Sequence, residues 1–318
     1  MKFLRQRSRT SSASSTPVTV RSGVFDWRGH RLAYELYGDA AGVPCVLIHG
    51  ILMDSVLNRD LARRFVQEGF QVALLDLLGH GNSERSTRVC DHRVDLYAEQ
   101  AIGLLDHLRW PQALVGGVSL GAITALQVVE RAPKRVSALF LEMPVMEAST
   151  PSAAVLLVPP MLVARFGAPL WRVFAHVLRR VPRPRTDWLA SLMNGFSAEP
   201  ENVAAILHGV FVGPIVPSFT ARREIRVPTL VIGHGGDRLH VLQDARRLAE
   251  EIPGAHLLQA RSILELRTHP ESLWPQVSSF LHTEVLRRTG VAAKPPRKRA
   301  AALLGSSTRS KSNRTSRP

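Results

Sequence analysis

The sequence predicts an α/β protein: a mostly parallel, twisted sheet flanked by helices on both faces, with a helical insertion. Three observations predict it. Short apolar runs alternate with longer stretches of helical spacing; the alternation halts over residues 144 to about 222 and then resumes; and Gly117-Val118-Ser119-Leu120-Gly121 lies between an apolar run and a helix. Unbroken apolar strands are buried on both faces, which requires helices on each side.

The elements follow in order. Residues 24–27 and 31–37 alternate around Arg28-Gly29-His30 and predict a β-hairpin. The run 43–48, interrupted only by Pro44, reads as a buried strand ending at His49-Gly50, and a helix over 56–68 is stopped by Gly69. A second buried strand, 72–75, ends in Asp76 and opens into Gly79-His80-Gly81-Asn82-Ser83. A helix over 94–108 precedes the strand 113–118, which runs straight into Ser119; a helix over 122–131 ends before Pro133, and 136–141 is the next strand. Residues 144–222 carry no buried-strand pattern, hold proline at ten positions and show apolar clusters at helical spacing over 153–166 and 171–178. A strand over 229–232, a helix over 241–251, a strand over 256–259 and a helix over 270–287 complete the pattern, with no internal repeat.

The net charge of +15 suggests a nucleic-acid binder until the charges are located. Residues 1–22 carry five basic residues and no acid, residues 287–318 carry ten and no acid, and the stretch between is formally neutral. The domain organisation expected is a disordered basic tail over 1–22, one domain over 23–287 and a second disordered basic tail over 288–318; the tails could contact anionic surfaces or nucleic acid weakly. An apolar share of 45% and a charged share of 21% are those of a globular chain. Cys45 and Cys90 make neither a disulfide framework nor a metal-ligand spacing. No apolar run reaches the ~20 residues of a membrane span and the first residues lack a signal-peptide core, so a cytoplasmic location is expected.

A serine between a buried strand and a helix is the place for a nucleophile. The sharp turn lifts its hydroxyl above the sheet edge, and the flanking glycines avoid collisions that a Cβ would make. Taken with His49-Gly50, Asp76, Gly79-His80-Gly81-Asn82-Ser83 and an acid after a late strand, this chain resembles the α/β-hydrolase-fold family over about residues 24–287. The resemblance implies that the insertion at about 144–222 is a cap and that the activity is hydrolysis of an ester-like bond; the apolar residues of that insertion point to a small, apolar substrate. Ser119 would be the nucleophile, Asp237 the acid supporting a histidine, and the N–H groups of Ile51 and Leu120 the oxyanion hole. It implies no cofactor and no metal, and it makes His80 structural. Glu142, directly after the strand 136–141, is the reserve acid, and the run 155–163 with Phe166, Trp171 and Phe174 is expected to wall an apolar pocket.

The family's catalytic histidine has no counterpart in its usual loop, where residues 260–270 read Ala-Arg-Ser-Ile-Leu-Glu-Leu-Arg-Thr-His-Pro. Three substitutes stand: His240, three residues from Asp237, ranks first; His269, at the opening of the last helix, second; His234 third. Arg267 and Glu265 are expected to pair within the altered loop. The alternative is a degenerate member of the fold that binds a small molecule or partner without turnover.

Overall fold

The computed structural model describes residues 18–236 and 239–289; Asp237 and most of both basic ends lie outside the described residues. Eight strands form one sheet in the order β1-β2-β4-β3-β5-β6-β7-β8: β1 (Val20–Trp27), β2 (His30–Tyr37), β3 (Val43–Ile48), β4 (Phe70–Leu75), β5 (Ala113–Val118), β6 (Val136–Glu142), β7 (Thr229–His234) and β8 (His256–Ala260). Only β1 with β2 and β2 with β4 are antiparallel pairs. Strand β1 begins at Val20, earlier than the expected tail boundary, because Val20 to Ser22 pair with Tyr37 to Glu35. Its two-residue turn takes positive φ at both Arg28 and Gly29, the twist that suits a tight hairpin.

Period-two alternation sorts each buried strand onto two faces. Val46, Ile48 and Val115 face one core with α2 (Val94–His107), α3 (Leu120–Arg131) and α9 (Leu242–Glu251). Cys45, Leu47 and Leu114 face the other with α1 (Arg59–Glu68) and α11 (Trp274–Phe280). The expected last helix is broken: a short 3-10 turn precedes α11 and a π-helical stretch follows it.

Between β6 and β7 lie α4 (Thr150–Phe166), α5 (Ala168–Arg180), α6 (Asp187–Phe196), α7 (Pro200–Gly209) and α8 (Phe219–Glu224). Leu52, Ala164, Trp171, Ala175 and residues of α7 form a separate apolar cluster that gives this insertion its own core. Polar contacts seat it on the sheet edge. Asn194 donates to Asp54 at 2.7 Å, Asn202 donates to the Gly79 carbonyl at 2.8 Å, and the Asp244 carboxylate accepts from the N–H groups of Met146, Ala148 and Ser149.

Candidate active site

Strand β5 ends in a backbone that few side chains tolerate. Ser119 has φ 55° and ψ −111°, a conformation costing about 1–3 kcal/mol. The surroundings enforce it. A Cβ on Gly117 would stand 2.3 Å from the Ile48 carbonyl oxygen, and one on Gly121 would stand 2.2 Å from the same atom, so β3 can lie against the turn only if both are glycine. The Ser119 N–H donates to the Glu142 carbonyl at 2.8 Å, which ties the turn to the end of β6. Leu52, Ser119 and Met143, three of the five described non-glycine residues with positive φ, follow β3, β5 and β6 at this one edge.

The side chain of Ser119 is buried and does not cap α3. Ser119 lines a cavity of about 50 Å³ together with Ile51 and Leu120. Among the described residues no protein acceptor takes the N–H of Ile51 or of Leu120. Leu120 is the first residue of α3, where helix geometry leaves N–H groups unsatisfied and the helix dipole is positive. A hydroxyl and two open donors on one small cavity are the elements of attack on a carbonyl with stabilisation of the resulting oxyanion. The expected wall is only partly there. Leu157, Val210, Phe211 and Leu239 line the cavity, whereas Val155, Val163, Phe166 and Phe174 are exposed and Trp171 is buried in the insertion's own core. Thr150, Ala153 and Leu157 bring α4 directly over Ser119.

A model of the alpha/beta hydrolase fold matches residues 43–261. The chain belongs to the α/β-hydrolase-fold family. It is 27% identical over 238 residues to 3-oxoadipate enol-lactonase 2 of Acinetobacter baylyi, covering 70% of this chain and 81% of that one. It is 36% identical over 114 residues to the dihydrolipoyllysine-residue acetyltransferase component of the acetoin cleaving system of Pseudomonas putida, covering 36% of this chain and 30% of that one. The chain spans between 30% and 51% of the length of the first three curated relatives it matches. The solved enol-lactonase of Burkholderia xenovorans LB400 superposes with a TM-score of 0.66 at 21% identity, over 82% of this chain and all of that one.

Within this α/β-hydrolase fold the loop after β8 carries an ion pair. The short helix α10 (Glu265–Thr268) brings the buried Arg267 side chain to Glu142 at the end of β6, with its two terminal nitrogens donating to the two carboxylate oxygens at 2.9 and 2.7 Å and one also donating to Asn58 at 3.0 Å. The expected Arg267–Glu265 pair does not form: Glu265 accepts from Ser272 and from the Arg261 N–H, which hold its carboxyl below the usual range. Glu142, the reserve acid, is thus engaged by arginine. No local pattern announces this pair, because its members are 125 positions apart.

The histidines divide by burial. His269 is exposed and hydrogen-bonds with the neighbouring Thr268 hydroxyl at 2.9 Å. His240 and His234 are buried after and at the end of β7, with ring centroids 6.3 Å apart. Leu239 reaches the Ser119 cavity, and the Val241 N–H donates to Ser149 at 3.0 Å, fixing this loop beside the start of the insertion. No histidine is among the described residues that line the cavity. His80 is buried with Nδ1 3.1 Å from the Leu78 carbonyl, and His49 accepts from the Leu77 N–H, so both brace the loop after β4. A larger cleft, about 440 Å³, lies beside that loop and is lined by Arg59, Arg85, Arg179 and Arg183, but not by Ser119.

Proposed function

We propose that this chain is a serine hydrolase acting on an ester-like acyl bond of a small, apolar substrate. The carrying observation is the strained turn that holds the Ser119 hydroxyl in one apolar cavity with the open N–H groups of Ile51 and Leu120. Ser119 gives its proton to the base and attacks the acyl carbon, the two N–H groups take the developing oxyanion charge, collapse of the intermediate breaks the ester bond and expels the alcohol with that proton, and water then releases the acyl group as an acid and restores the serine. His240 is the base in this reading and Asp237 its support; the neighbouring Leu239 on the cavity wall and the burial of His240 at the same sheet edge favour it over the exposed His269. The enol-lactonase and lipase relatives agree with acyl chemistry. Small-molecule sites run from about 300 Å³ upward, so substrate entry requires the insertion to act as a cap that moves off the 50 Å³ cavity.

The buried Arg267–Glu142 pair favours a second reading. An arginine cannot take the serine's proton, because it keeps its own in proteins. A fold that retains the turn without a base would bind a ligand and not consume it.

Labelling with a fluorophosphonate probe separates the two. The hydrolase reading expects a covalent adduct that Ser119→Ala abolishes, a labelling rate reduced about a hundredfold in His240→Ala and an unchanged rate in His269→Ala. A folded protein that never labels supports the binding reading, and loss in His269→Ala alone reassigns the base.

A further inference from the structure

The insertion presents an apolar face to solvent. On α5, Leu170, Val173, Phe174, Val177 and the following Val181 are exposed at helical spacing, while Trp171 and Ala175 on the opposite side pack into the insertion's core. On α4, Val155, Leu156, Leu162, Val163 and Phe166 are exposed, and Ala153 and Ala164 are buried. Phe166 is 80% exposed and Leu170 70%, and both stand at the junction of the two helices. Nine large apolar side chains on two consecutive helices, with Val181 just beyond them, exceed the scattered exposure of an ordinary soluble surface.

Charge identifies what covers the face. From residue 148 to residue 186 the chain has six arginines and no acid. Arg165, Arg180 and Arg185 are exposed and make no ion pair among the described residues. A symmetric contact between two copies would bring the unpaired arginines of both insertions together, which like-charge repulsion opposes. An anionic bilayer satisfies both features, since acyl chains take the apolar side chains and headgroup phosphates take the arginines. Among the described residues no single helix is long and apolar enough to cross a membrane, and α4 and α5 are bent by 102° at their junction.

We infer that α4 and α5 form a docking surface for anionic lipid membranes. The exposed side chains of this surface are not those of α4 that line the Ser119 cavity, so the inference does not depend on which reading of that site is right.

The test is co-sedimentation of the full chain with vesicles of phosphatidylcholine alone and of phosphatidylcholine with phosphatidylglycerol at 7:3, at physiological salt. Binding to the anionic vesicles at least about tenfold above the neutral ones is expected. Phe166→Glu/Leu170→Glu/Val173→Glu changes only exposed side chains and should reduce that binding about tenfold or more with an unchanged thermal melt. Arg165→Gln/Arg180→Gln/Arg185→Gln should weaken it and flatten its salt dependence while leaving the apolar face intact. Absence of vesicle binding by the parent overturns the proposal. So does full retention of binding in both triple variants, which would leave the basic ends as the contact, and so does a parent dimer that the glutamate variant converts to monomer.

Discussion

Arg267 and Glu142 are both buried, and their pairing joins the loop after β8 to the end of β6, whose carbonyl also holds the Ser119 N–H. Removing one member of such a pair leaves a charge buried without its counterion, typically a loss of 3–5 kcal/mol. Arg267→Ala is therefore expected to lower unfolding free energy by about that amount in urea titration. Replacing both, as Arg267→Met with Glu142→Leu, should recover most of it, because buried ion pairs often do no better than apolar residues of similar volume. A single variant as stable as the parent would mean that water already reaches the pair. The expectation of an Arg267–Glu265 contact failed for a local reason: residues two apart on a helix point to different sides.

At the scale of the element, the strand-turn-helix β5–Ser119–α3 works by exclusion of side chains. Gly121→Ala drives a Cβ to 2.2 Å from a backbone oxygen of β3, an atom that cannot swing aside. A loss of about 2 kcal/mol or more is expected in urea unfolding, together with slowed probe labelling, since the shift needed moves the Leu120 N–H. Gly50→Ala is the control for stability: the nearest atom to its Cβ is 3.6 Å away, an ordinary contact. Equal losses in the two variants would reject the steric account. The helices of the insertion teach the opposite lesson. Apolar residues occur around much of α4, so periodicity could not say which of them face the cavity, and the structure turns Ala153 and Leu157 inward and Val155 and Phe166 outward.

For the whole molecule, buried histidines set the dependence of stability on pH. Burial pushes the imidazoles of His80 and His92 below their ordinary value of 6.5. Their contribution to stability is complete above 6.5 and is lost as pH falls from there toward their folded values, because the unfolded chain takes up protons that the native state refuses. His49 is lowered by burial too, and Asp76 beside it is raised by burial and works in the opposite sense, gaining stability when protonated. The expected result is a urea midpoint lower at pH 5.5 than at pH 7.5, with a slope of up to about 1.4 kcal/mol per pH unit for each histidine. His80→Asn should flatten the profile; an unchanged slope in that variant would place the dependence elsewhere.

The sequence by itself determined the sheet, its helices, the place of the insertion and the turn at Ser119. Those features are written in local regularities: the strand Ala113–Val118 is a continuous apolar run, and Gly117 and Gly121 mark a close approach of backbone that leaves no room for a Cβ. The resemblance puts Ile51 and Leu120 beside Ser119, and both line its cavity, because a loop and a helix start have fixed places relative to their strands. Only the tertiary structure decided that Arg267 meets Glu142, that His269 is exposed while His240 is buried, and that the apolar residues of α4 and α5 divide between a cavity and solvent. Each of these depends on which distant segments the sheet order brings together, and a contact across 125 residues leaves no trace in the spacing of its members. Local stereochemistry shapes the turn that holds the serine, whereas the partners around it are set by packing of the entire fold.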